Sequence, residues 1–171
     1  MPIIVKDSGR DYPPAPEGVA QGVCVDVIDL GLQETQWGPK EKVEIRWQLD
    51  TVDPEGRKFI VIQRYTLSLN QKAKLRAHLE AWRGKKFTPE ELKGFDLEKL
   101  LGANCQIQII HNITDDGRVY GNVAALMPLG RGMTKIEAEE YTRVKDRPTQ
   151  RGTGNGDVHG HPAEEEEEIA F

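Results

Sequence analysis

The sequence predicts a mainly β fold in which three strands, one helix and two further strands follow one another within residues 18–129. Three observations carry this prediction. Several stretches alternate apolar and polar residues with a period of two, a single stretch changes to three- and four-residue spacing, and turn residues separate them.

Before the first strand, YPPAPEG at 12–18 is proline-rich and reads as part of an extended amino-terminal arm, residues 1–17. In VAQGVCVDVIDLGLQ, Val23, Val25 and Val27 alternate with Cys24, Asp26 and Ile28. Gly22 and Gly31 there suggest bulges or bends, such as a small barrel needs at its corners. ETQWGPK is turn chemistry. KVEIRWQLD then places Val43, Ile45, Trp47 and Leu49 on one face and Lys42, Glu44, Arg46 and Gln48 on the other, a half-buried strand. DPEG at 53–56 is a tight turn, so RKFIVIQRYT returns as the third strand of a meander.

SLNQKAKLRAHLEAWRG carries Leu69, Ala73, Leu75 or Arg76, Leu79 and Trp82 at helical spacing, with Ser68 or Asn70 as candidate cap and Gly84 as the stop. TPEEL is a capped turn with proline at its first helical position, and DLEKLLG is another short helical piece. NCQIQIIHN and RVYGNVAALMPL are two strands whose Asp116-Gly117 signals a hairpin. This order matches a five-stranded Greek-key barrel of the oligonucleotide/oligosaccharide-binding (OB) type, with its helix between strands 3 and 4. The domain is expected to span 18–129. Beyond it the periodicity fades, apart from a short helix expected within 134–144. Residues 130–163 read as a flexible linker, with DRPTQRGTGNGDVHGHPA too polar to fold, and 164–171 as a disordered acidic tip.

The 171 residues hold 23 Lys and Arg against 28 Asp and Glu, a net charge of −5. Glu164, Glu165, Glu166, Glu167 and Glu168 account for all of that excess, so the rest of the chain is neutral. Within it, residues 40–86 hold twelve cations against six acids, a basic centre compatible with a polyanion. No apolar run approaches the ~18–20 residues that span a bilayer, and the start has too few apolar residues for a signal peptide. Cys24 and Cys105 read as buried thiols of a reducing cytoplasm. The expectation is a cytoplasmic protein without membrane contact.

Catalytic signatures are missing from the sequence. GTGNGD has neither the strand before it nor the helix after it that a dinucleotide loop requires, and GRGMTK lacks the end of a phosphate loop. His159 and His161 have no fixed third ligand nearby, and His78 and His111 each stand alone. No cofactor, metal or enzymatic activity is expected. Binding of single strands needs cations that follow phosphates and flat side chains that stack on bases. On a barrel of this type the working surface is the outer side of strands 2 and 3 with the flanking loops. That points to Trp37, Lys40, Lys42, Arg46, Arg57, Lys58, Phe59, Arg64 and Tyr65, with Tyr120 as a further platform and Gln48 beside them. Trp47 and Trp82 lie on apolar faces and belong to the core. On the third strand Phe59, Val61 and Tyr65 share one face and Lys58, Ile60, Ile62 and Arg64 the other; alternation leaves open which faces outward. Lys72, Lys74, Arg76 and Arg83 read as a solvated helix face.

The end of the chain, AEEEEEIAF, resembles the acidic tip of bacterial single-stranded-DNA-binding proteins, which ends in aspartates followed by Ile-Pro-Phe. Ile169 matches the isoleucine, Phe171 the terminal phenylalanine and Glu164–Glu168 the acidic block; Ala170 departs from the proline, and glutamate replaces aspartate. The central stretch RYTLSLNQKAKLRAHLEAWRGKKFTPEELKGFDLEKLLG is similar to small proteins of bacteriophage and prophage replication regions, which implies a bacterial or phage-infected cell. The resemblance implies a phage-type protein that coats single-stranded DNA during replication, recombination and repair, and recruits partner proteins through the tip. A terminal ring with a free carboxylate suits a pocket with an apolar floor and a cationic lip. The rival expectation is an OB-type adaptor or inhibitor that does not bind nucleic acid. Homo-oligomerisation is left open.

Overall fold

The structure is a computed structural model and describes residues 14–147. Its strands are β1 (Gly18–Thr35), β2 (Gly38–Val52), β3 (Lys58–Thr66), β4 (Asn104–Ile113) and β5 (Val119–Met127). Between β3 and β4 lie α1 (Lys74–Arg83), the single turn α2 (Pro89–Leu92) and a 3-10 turn at Leu97–Leu100. The strands form one open antiparallel sheet in the order β3-β2-β1-β4-β5. At its two ends β3 and β5 approach one another, and the Val123 N–H donates to the Gln63 side-chain oxygen at 3.2 Å in place of a backbone ladder.

β1 can serve two neighbours because it is long and bent. Gly18–Val23 pair with β4, whereas Gly22–Thr35 pair with β2, with register shifts between Cys24 and Asp26 and between Asp29 and Gly31. Gly31 has φ +66°, the left-handed region that glycine enters without a Cβ clash. Gly22 serves another purpose: a Cβ there would stand 2.8 Å from Ile107 Cδ1 and 3.3 Å from Leu49 Cδ2. A side chain at this point would have to push the end of the buried Ile107 side chain aside.

The inner face of the sheet packs on α1. Val43, Ile45, Trp47 and Leu49 of β2 meet Leu75, Leu79 and Trp82 of α1, with the rings of Trp47 and Trp82 5.7 Å apart. Both tryptophans are therefore core, as the apolar periodicity implies. Phe59, Val61 and Tyr65 join this cluster, so that face of β3 points inward. The Tyr65 hydroxyl reaches His78 Nδ1 at 2.7 Å. Burial, followed by the charge of Lys74, holds the His78 imidazole down at about 4, so at neutral pH it is uncharged and shares this hydrogen bond with the hydroxyl.

Two local expectations need correction. The start of α1 is Ala73, with no side-chain cap, because Ser68 and Asn70 are used earlier: Ser68 accepts from the Asn70 N–H and Asn70 from the Lys72 N–H. These short turns compete with capping for the same side chains. Thr88, by contrast, makes the full capping box with Glu91. The second correction concerns 134–144, which forms no helix, and the flexible linker expected from residue 130. Residues 134–147 run across the outer face of β1–β3 and end in a 3-10 turn at Val144–Asp146. Their hydrogen bonds go to distant side chains, which no helical period records. The remainder of the expected linker, the acidic tip and most of the amino-terminal arm lie outside the described residues.

Candidate nucleic-acid interface

Antiparallel pairing puts opposed residues on one face, so the outer side of β1–β3 can be read in rows. Val23, Gln48 and Ile60 form the first row and Asp26, Arg46 and Ile62 the second. Ile28, Glu44 and Arg64 form the third, and Gly31, Lys42 and Thr66 the fourth. The first two rows are covered and the last two are open.

The cover is the segment 134–147, hereafter the strap. Val23, Val25, Ile60 and Ile62 pack against its Ile136 and Tyr141. Two carboxamides grip its backbone with both ends. Gln48 Nε2 donates to Glu139 O at 2.7 Å while the Glu139 N–H donates to Gln48 Oε1 at 2.7 Å. Asn104 treats Ile136 in the same way, at 2.9 and 2.8 Å. The far end is held by Asp26, 1% exposed, which accepts from the Tyr141 hydroxyl (2.7 Å), Arg143 Nε (3.1 Å) and the Val144 N–H (2.9 Å). Burial pushes the Asp26 carboxyl up, but these three donors outweigh it and hold the group below the ordinary carboxylate range. Arg143 also bridges to Glu98 at 2.8 Å.

In the open half, Glu44 lies buried beneath two guanidinium groups. Its Oε2 takes Arg46 Nε at 2.6 Å and its Oε1 takes Arg64 Nε at 2.9 Å. The Arg64 side chain is nonetheless 68% exposed. A buried carboxylate thus orients a guanidinium by its Nε and leaves the terminal amino groups for a ligand, the geometry that suits phosphate. Arg64 lines a groove of about 440 Å³ with Lys42, Tyr65, Thr66, Ser68, Asn70, Lys72 and Lys74. That lining holds four cations and no carboxylate. Lys42 Nζ donates to Thr66 Oγ1 at 2.7 Å, which fixes it on the groove floor.

The sequence-derived candidates divide accordingly. Lys42 and Arg64 meet in the groove, Lys40 is exposed beside them on β2, and Trp37, 78% exposed, caps the β1–β2 hairpin. Arg46 is half-buried against Glu44. Arg57 is exposed and paired with Glu55 (2.7 Å) and Asp53 (3.3 Å), while Lys58 faces Glu139 of the strap at 3.4 Å. Phe59 and Tyr65 point into the core, 9% and 2% exposed, so they offer no stacking surface; the alternation of β3 that the sequence left open resolves with Arg64 outward. Tyr120 is exposed on β5 but stands opposite Asn112 of β4, on a different hairpin from Trp37. Glu164–Glu168, Ile169 and Phe171 lie outside the described residues.

Lys72 and Lys74 belong to the groove, although their helical spacing reads as a solvated face. Arg76 and Arg83 do not: they pair with Glu80 at 3.5 Å and Glu91 at 2.6 Å. The only sequence signal separating the two pairs is position, since Lys72 and Lys74 stand before or at the start of α1, nearest the end of β3. Among the described residues no group of three His, Cys, Asp or Glu is arranged to hold a metal, and no helix is long and apolar enough to cross a membrane. Compared with known proteins, the chain matches no family model and no curated protein.

Proposed function

We propose that this chain is a sequence-unspecific single-stranded-DNA-binding protein of phage type, which coats exposed strands and recruits replication or recombination proteins through its acidic carboxy terminus. The observation that carries this reading is the four-cation, carboxylate-free groove with Arg64 oriented from below by Glu44. Cations of this kind track phosphates without reading bases. The strand order, with β1 central and β3 beside β5, supports an OB barrel whose ligand side is the outer face of β2 and β3. Trp37 supplies a ring at the end of that face.

Titration of oligo(dT) at two salt concentrations tests the reading. Binding should weaken steeply with salt, and Lys72→Ala should lower the slope of log K against log salt by about 0.7, one phosphate contact on a single strand. Equal slopes for both proteins would remove Lys72 from the interface, and no binding at low salt would remove the function. A second reading, a protein-interaction adaptor, draws on the burial of Phe59 and Tyr65, which leaves Trp37 and Tyr120 as the exposed rings among the sequence-derived candidates. Failure to bind any oligonucleotide would favour it.

A further inference from the structure

We infer that the strap, residues 134–147, is a fixed partition on the outer sheet face that confines a bound polynucleotide to the Lys42–Arg64 half and gives each chain a short footprint. This rests on the nucleic-acid reading for its ligand, but the partition itself rests on geometry alone. A displaceable lid and a permanent wall can occupy the same place. They differ in what is left behind when the segment leaves.

Departure of this strap would leave three defects at once. Asp26, deep in the sheet, would lose three donors together, and a buried carboxylate without partners is among the costliest defects a fold can carry. Gln48, buried, would lose both bonds of its carboxamide, and Asn104 would lose its two bonds to Ile136 while keeping those to Gln21 and Gly102. Val23, Val25 and Ile60 would lose the apolar cover of Ile136 and Tyr141. A polynucleotide cannot replace these contacts. Phosphates would repel Asp26, and the sugar-phosphate chain does not carry the alternating N–H and C=O that Gln48 and Asn104 read on the strap.

The strap offers a polyanion no net attraction, since Glu137, Glu139, Glu140 and Asp146 balance Lys135, Arg143, Lys145 and Arg147. Its Glu139 already takes Lys58, one of the cations expected to face the ligand. The open surface therefore runs from Trp37 to the row of Glu44 and Arg64, about 23 Å at roughly 3.3 Å per residue of β2. That length places the footprint at the low end of the roughly 4–16 nucleotides that single OB folds cover.

The experiment is amide exchange by NMR on the full chain, alone and with poly(dT), together with the stoichiometry of poly(dT) saturation. In the unaltered protein the amides of Ile136, Glu139 and Val144 should exchange as slowly as those of Ile45 and Trp47, and poly(dT) should not speed them. Saturation should come at roughly four to six nucleotides per chain. Arg143→Ala, which removes one of the three donors to Asp26 and the strap's bridge to Glu98, should speed strap exchange by about tenfold or more and raise the number of nucleotides held per chain. Glu98→Gln gives a milder version should that protein fold poorly. Strap amides accelerated by poly(dT), or a long footprint in the unaltered chain, would overturn the partition and make the strap a lid. If neither protein binds poly(dT) while the strap amides stay protected, the nucleic-acid reading falls, and the confinement with it, but the pin stands. Freely exchanging strap amides would overturn the pin whatever the binding result.

Discussion

Three side chains show how single residues set the behaviour of the whole. His78 takes a proton at about 4 in the fold but near 6.5 when unfolded, since burial and then Lys74 oppose its charge. Between those values the unfolded chain binds more protons, so stability rises with pH across the window and is lost on acidification. Denaturant midpoints measured from pH 7 down to pH 4 should fall, and His78→Asn should flatten the decline. Asp26 acts lower on the scale. Its depressed pKa contributes stability that is complete above about 3.9, the unfolded carboxylate value, and is lost as pH falls through the folded one. Asp26→Asn removes the charge beneath Arg143 and should cost about 3 kcal/mol in chemical unfolding, the scale of breaking a buried pair. Trp37 is the opposite case, exposed and without a packing role. Trp37→Ala should leave the thermal midpoint unchanged while weakening oligo(dT) binding by roughly 1–3 kcal/mol, one stacked base. An unchanged affinity would mean that the hairpin tip takes no part.

At the scale of elements, the β1–β2 hairpin and α1 do different work. Beyond the row of Lys42 and Thr66 the hairpin continues through Leu32–Glu41 to Thr35–Gly38 without a third strand beside it. A lone two-stranded ribbon is marginal in water, so this arm can adjust to a ligand at little cost. α1 is the reverse, fixed by Trp82, whose Nε1–H donates to Asn104 O at 2.9 Å from within the core. Trp82→Ala should cost about 3–5 kcal/mol in denaturant unfolding, because the ring fills the space under Trp47. Thr88→Ala, which opens the capping box of α2, should cost only about 1 kcal/mol. The fold thus places a yielding arm and a rigid floor on either side of the cationic groove.

Over the whole molecule, charge and contact are partitioned. Several acids are spent on cations at short range, Glu44 on Arg46 and Arg64, Asp26 and Glu98 on Arg143, Glu91 on Arg83. Among the described residues Lys42, Lys72 and Lys74 have no such acid, and they make the groove positive. The strap closes the other half of the same face. Under the proposed division of labour, removing Ile169–Phe171 should leave oligo(dT) affinity nearly intact and abolish capture of partner proteins; equal loss of both would contradict it.

Period-two alternation in β2, three- and four-residue spacing in α1, and the turn residues Asp53–Gly56 and Asp116-Gly117 were enough to place the strands, the helix and the core positions of Trp47 and Trp82. These are local signals, carried by neighbours in the chain. The inward side of β3 was not legible, because the strap makes its outer side apolar too, with Ile60 and Ile62 where solvent would have demanded polar residues. The strap itself was invisible: its anchors join Gln48 to Glu139 and Asp26 to Arg143, 91 and 117 residues apart. Only tertiary packing brought Lys72 and Lys74 to Lys42 and Arg64, and only it turned a segment without periodicity into a wall. Patterning along a chain records which residues avoid water. Which distant groups satisfy them is decided when the sheet closes over its core.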